Sequence, residues 1–175
     1  MKDLLEQHLA DVYRFALRLT GRPDMAEDLA QETVLRAWRS RDRLREAGAG
    51  RVWLFRICVN AWRDLGRRKK AEPEASDADV AVEQVAAGGI SVERTAEQRE
   101  DVARAMAALD GLPPRQREVL YLVSCEGMNM AEVAEVLEVS QGAVKAHLST
   151  ARRTMRELLA DVVRERCATG QRDET

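Results

Sequence analysis

Aromatic residues make up only 4% of this 175-residue chain, and it carries four prolines and three cysteines. So few aromatics, beside abundant Ala, Leu, Val, Glu and Arg, favour helix over sheet. Cys58, Cys125 and Cys167 are odd in number, far apart and outside any metal-ligand spacing, which argues against a disulfide framework or a zinc module. They read as reduced thiols of a cytoplasmic protein, two of them ordinary core residues. No apolar run is long enough to span a bilayer, and the acidic, amphipathic start MKDLLEQHLADVYRF does not read as a signal peptide, so membrane insertion is not expected.

Strong net charge is also missing, at −2 for the whole chain. That balance hides a division. Between Arg36 and Lys70 twelve Arg or Lys stand against three Asp or Glu, a local +9. Between Ala71 and Ala103 nine acids face two arginines, a local −7, and from Ser140 to Arg166 six bases face three acids, a local +3. Two basic patches separated by an acidic stretch suit two nucleic-acid contacts.

The most informative stretch is NMAEVAEVLEVSQGAVKAHLSTARR, Asn129 to Arg153. Asn129 and Glu132 have capping-box spacing, and Val133, Ala134 and Leu137 give the first helix a buried side. Glu138-Val139 makes a corner, and Ser140 caps again. Val144, Leu148, Ala151 and Met155 form one apolar stripe on a second helix expected to run to Val163. Its other side carries Ser140, Gln141, Lys145, Ser149, Arg152 and Arg153, small or basic groups suited to phosphates and base edges. This is a helix-turn-helix pattern, with Ser140–Arg153 as the recognition helix. Two amphipathic helices with a short turn also occur in proteins that never touch DNA.

Upstream, Leu4–Leu19 reads as a helix with Leu5, Leu9, Val12, Ala16 and Leu19 inward, and His8 as a partly buried structural histidine. A second helix begins at Asp24, with Glu27 as its capping partner and Ala26, Ala30, Thr33 and Ala37 packed inward. Its outer face holds Asp28, Gln31, Glu32, Leu35 and Arg39. Leu35 is either an ordinary exposed leucine or the centre of a protein-contact surface. Ser40–Arg51 starts as helix and ends in a Gly/Ala-rich loop. Val52–Lys70 has an apolar face of Leu54, Ile57, Cys58, Ala61 and Leu65. Beside it run Arg56, Asn60, Arg63 and Arg67, able to hold a single strand, with Trp53 at the border and expected in the core.

Ala71 to Ile90 is acidic, small-residued and without a sustained stripe, so it reads as a flexible linker. Ser91 caps a helix to Leu109 with Val102 and Met106 inward. Pro113-Pro114 starts the next, with Val119, Leu120 and Val123 inward and Gly127 closing it. Residues 167–175 read as a polar, frayed end. The expected architecture is all-α: an N-terminal helical domain over 1–70, an acidic linker over 71–90, a C-terminal helix-turn-helix domain over 91–163 and a polar tail over 164–175. No paired acid and base, nucleophile pattern, phosphate loop or metal-ligand cluster stands out, so no catalytic residue, metal or cofactor is expected.

Three segments in order carry a family resemblance: DMAEDLAQETVLRAWR at Asp24–Arg39, VWLFRICVNAWRDLGRR at Val52–Arg68, and LDGLPPRQREVLYL with MAEVAEVLEVSQGAVKAHLSTAR across Leu109–Arg152. Together they resemble the extracytoplasmic-function class of bacterial sigma factors, the promoter-recognition subunits of RNA polymerase. The resemblance implies a subunit that directs core polymerase to promoters and assists strand opening. It implies that Asp28, Gln31, Glu32 and Leu35 meet the polymerase clamp helices. Arg56, Asn60, Arg63 and Arg67 would handle the proximal promoter element, with base flipping and single-stranded DNA, and the Ser140–Arg153 helix would read the distal element in the major groove. An anti-sigma partner is a family expectation. Family members often have Gly where Glu138 stands, Arg where Thr150 stands, and small or aliphatic residues in place of Trp62 and Arg63. The alternative from the residues alone is an autonomous helix-turn-helix regulator that binds duplex DNA as a dimer.

Overall fold

Residues 2–44, 50–71 and 104–170 are described in the computed structural model, and they are helical with no strand among them. Helix α1 (Lys2–Thr20) buries Val12, Phe15, Ala16 and Leu19. Leu9, expected inward, is 45% exposed. The stripe is centred on Val12, Phe15 and Leu19, which turns Leu9 to its edge. His8 is half-buried as expected, 3.7 Å from Asp11.

Helix α2 (Pro23–Arg39) starts one residue before the expected Asp24, because Pro23 already has the backbone angle of a first helical position. Arg22 is the flanking residue and makes no side-chain cap. Asp24 instead sits in the first turn, where Arg22 donates to it at 2.6 Å and holds its carboxyl below the usual range. Ala26, Ala30, Thr33 and Ala37 are buried as expected, with Leu29 among them. Thr33 satisfies its buried hydroxyl by donating to the Leu29 carbonyl at 2.7 Å. One tighter turn, Arg41–Arg43, follows.

Helix α3 (Gly50–Ala71) is covered on more than the one face its sequence suggested. Leu54, Cys58 and Ala61 are buried as expected, while Ile57 and Leu65 are half-buried. Val52, Trp53, Phe55 and Val59 are buried too, because α1 and α2 pack on one side of α3 and the C-terminal helices on another. Phe15 and Phe55 meet at a ring-centroid distance of 5.1 Å, and each full burial contributes roughly 1.5–3 kcal/mol. The start of α3 runs so close to α1 that a Cβ on Gly50 would collide with Leu4.

The expected acidic linker, Ser91 and Val102 lie outside the described residues. Residues 104–110 form helix α4, with Met106 and Leu109 half-buried. Helix α5 (Pro114–Ser124) begins on its prolines and buries Glu118, Val119, Tyr121 and Leu122. Gly127, with φ +65°, turns the chain into α6 (Met130–Leu137). Helix α7 (Gln141–Gly170) runs past the expected end at Val163, since no Gly or Pro falls between Val163 and Gly170. The buried residues of α1–α3 and α5–α7 form one contiguous apolar cluster.

Candidate nucleic-acid interface

The helix-turn-helix is built by local chemistry. The Asn129 side chain accepts from the amides of Ala131 and Glu132 at 2.9 and 3.0 Å, and Glu132 accepts from the Asn129 amide at 2.8 Å. This reciprocal box fixes where α6 begins. At the corner Glu138 has φ 56° and ψ 47°, the left-handed conformation, a strain of roughly 1–2 kcal/mol for a non-glycine residue. Ser140 then caps α7 by accepting from the Ala143 amide at 3.1 Å. Val144, Leu148 and Ala151 lock α7 to the core, with Met155 half-buried. The opposite face stays open: Ser140, Gln141, Lys145, Ser149, Arg152 and Arg153 are all exposed. Arg153 lies 3.9 Å from Glu157, a loose pair in water that leaves it available.

The arginine stripe on α3 is differently placed. Arg67 is exposed and paired with Asp64 of its own helix, and Asn60 is half-buried. Arg56 comes within 4.0 Å of Glu135 on α6. Arg63 is largely covered: its guanidinium donates to both oxygens of Glu118 on α5, at 2.6 and 3.3 Å. Glu118 also receives Arg115 at 3.5 Å. Burial pushes its carboxyl up, against the pull of Arg115 and His147. A second acid, Glu126, takes Arg18 of α1 at 2.6 Å and Arg51 of α3 at 3.1 Å. Its carboxyl is likewise raised by burial, with Arg18 and Arg51 opposing.

On α2, Asp28 and Gln31 are exposed, and Leu35 is 49% exposed between them and Arg39. Glu32 accepts from Arg36 at 2.7 Å, and Arg36 ties α2 to Asp64 of α3 at 2.7 Å. Trp38, which sequence reasoning left out, is 52% exposed and has the Arg41 guanidinium 5.5 Å from its ring centroid. A tryptophan one turn from Leu35 enlarges the apolar patch. Its helical spacing was the signal that could have found it.

Comparison with known proteins follows the same division of the chain. Residues 4–72 match the family Sigma-70 region 2, and residues 103–155 match Sigma-70, region 4. The ECF RNA polymerase sigma factor EcfG of Rhodopseudomonas palustris is 34% identical, over 83% of this chain and 77% of its own length. This chain belongs to the ECF sigma factors.

The ECF RNA polymerase sigma factor SigE of Mycolicibacterium smegmatis is 35% identical over 90% of this sigma factor, which spans 61% of the SigE length. Among solved structures, the sigma factor RpoE in complex with the anti-sigma factor NepR, from Bartonella quintana, superposes with a TM-score of 0.74 at 30% identity. That match covers 91% of this chain and 96% of that one. The region 2 match contains α1, α2 and α3, and the region 4 match contains the helix-turn-helix. No described helix of this sigma factor is long and apolar enough to cross a membrane.

Proposed function

We propose that this sigma factor directs core RNA polymerase to promoters and assists strand opening, with α7 on the distal element and α3 on the proximal one. The observation that carries the reading is the open face Gln141, Lys145, Ser149, Arg152 and Arg153, presented by a capped corner within the region 4 segment. A recognition helix of this kind enters the major groove and places its arginines against phosphates. On α3, Arg56, Asn60, Arg63 and Arg67 grip an unpaired strand, Asn60 bonding a flipped base. Asp28, Gln31, Glu32 and Leu35 dock on polymerase, and Trp38 extends that contact. Residues 1–70 and 91–163 act as the two promoter-binding domains, and 71–90 as the tether between them.

This subunit performs no catalysis of its own; polymerase makes the RNA. It acts in the cytoplasm, where polymerase and the chromosome are, and an anti-sigma protein is a natural regulator, as in the RpoE–NepR complex. An autonomous dimeric regulator would explain α6 and α7 but leave the exposed Leu35 and Trp38 without a task. A pull-down with core polymerase separates the two. The chain is expected to be retained and Leu35→Asp to be lost, since a charge in a desolvated apolar contact goes unpaired. Equal retention of both proteins would overturn the docking role of α2.

A further inference from the structure

Helices α4, α5 and α7 leave an open groove of about 430 Å³ between them. Leu109 of α4, Leu120 and Tyr121 of α5 and Met155 of α7 line it, and the exposed Arg152 and Arg156 stand at its edge. No acid lines the groove. Arg156 donates through Nε to the Arg152 carbonyl at 3.2 Å, which leaves its two terminal nitrogens for another acceptor. Among the described residues no carboxylate pairs with Arg152 or Arg156, and the nearby Glu157 is taken by Arg153. Small-molecule sites of roughly 300–1,000 Å³ combine an apolar lining with a few polar groups that fix orientation. Two guanidinium groups one turn apart, bordering such a lining, suit a ligand with a hydrocarbon body and an anionic head.

We propose that the groove binds an acyl chain ending in a carboxylate, with the chain against Leu109, Leu120 and Met155 and the head on Arg152 and Arg156. This gives the region 4 segment a small-molecule site in addition to promoter recognition. Its consequence rests on the reading of α7 as the duplex-contacting helix. Arg152 cannot hold a bound carboxylate and a DNA phosphate at once, so the occupied protein loses a phosphate contact. The ligand therefore competes with duplex DNA through an arginine that both require.

The test uses the full-length chain with decanoate as the probe, kept below its micelle-forming concentration and followed by titration calorimetry. Saturable one-site binding is expected. Affinity is expected to rise roughly threefold to fourfold per methylene from hexanoate to decanoate, as burial of the chain requires. Decanol, which keeps the chain and lacks the charge, is expected to bind roughly tenfold more weakly. Arg156→Ala is expected to weaken decanoate by a similar factor and to leave decanol little changed. Cys125→Trp places a ring at the exposed end of the groove and is expected to abolish binding. Far-UV circular dichroism checks that both variants keep their helix content. At matched ionic strength, saturating decanoate is expected to lower affinity for a labelled mixed-sequence duplex several-fold in the unaltered protein and not in Cys125→Trp.

No saturable binding, or decanol bound as tightly as decanoate, would overturn the site and leave the groove to a polypeptide partner. Decanoate affinity unchanged in both variants would place the binding elsewhere and overturn it as well. Saturable binding with no loss of duplex affinity would overturn the competition. Arg152→Ala separates that failure from failure of the α7 reading. Weaker duplex binding there keeps α7 as a DNA contact even if decanoate does not compete.

Discussion

Glu138 is the residue at which the chain accepts strain to make its corner. Its φ of 56° is the one positive value at a non-glycine position among the described residues. Glu138→Gly is expected to raise stability by about 0.5–1 kcal/mol, part of the relief being lost to the greater freedom of glycine in the unfolded chain. Urea denaturation reads this directly, and a loss of stability would mean the corner is held by the Glu138 side chain instead. The cysteines give a second residue-scale expectation. Cys58 is fully buried against Thr33 and its thiol is pushed up to about 12 by burial, whereas Cys125 is exposed. Iodoacetamide is expected to alkylate Cys125 in the native protein and to spare Cys58 until unfolding, as peptide mass spectrometry would show. Of the two core cysteines expected from the sequence, Cys58 is one, while Cys125 falls at the exposed end of α5.

At the scale of elements, α7 and α3 both carry basic faces, the first open and the second partly covered, with Arg63 held by Glu118 and Arg67 exposed. Arg152 on the open face is expected to act as a phosphate contact. Arg152→Ala is then expected to weaken polymerase holoenzyme binding about equally on different promoters, and to lower the salt slope by about 1. A selective loss on some promoters, with the slope unchanged, would make it a base reader. What was legible in the sequence follows from range. The Asn129–Glu132 box, the Glu138 corner and the Ser140 cap involve neighbours a few residues apart, so spacing alone found them. The small stripe Ala26, Ala30, Thr33 and Ala37 was legible for the same reason. Glu118 was not, because a carboxylate in the middle of an apolar helix gains meaning only from an arginine 55 residues away. Leu9 was misjudged and Phe15 left out of the stripe because α1 has two plausible apolar stripes, and only the partner helices choose between them.

At the scale of the molecule, the modest net charge conceals two cationic helical faces and two acids that answer one of them. The fold packs α2, α3 and α7 around one shared core. On the proposed reading, that lets one small subunit meet polymerase, a single strand and a duplex. The role of 71–90 as a tether rests on its composition, since residues 72–90 lie outside those described. The measurement closest to the central claim is run-off transcription with purified core polymerase on promoters from the organism that encodes the chain. Addition of the protein is expected to yield specific start sites that core polymerase alone does not produce, and Leu35→Asp to abolish them. Transcripts indistinguishable with and without the protein, on every such promoter, would contradict it.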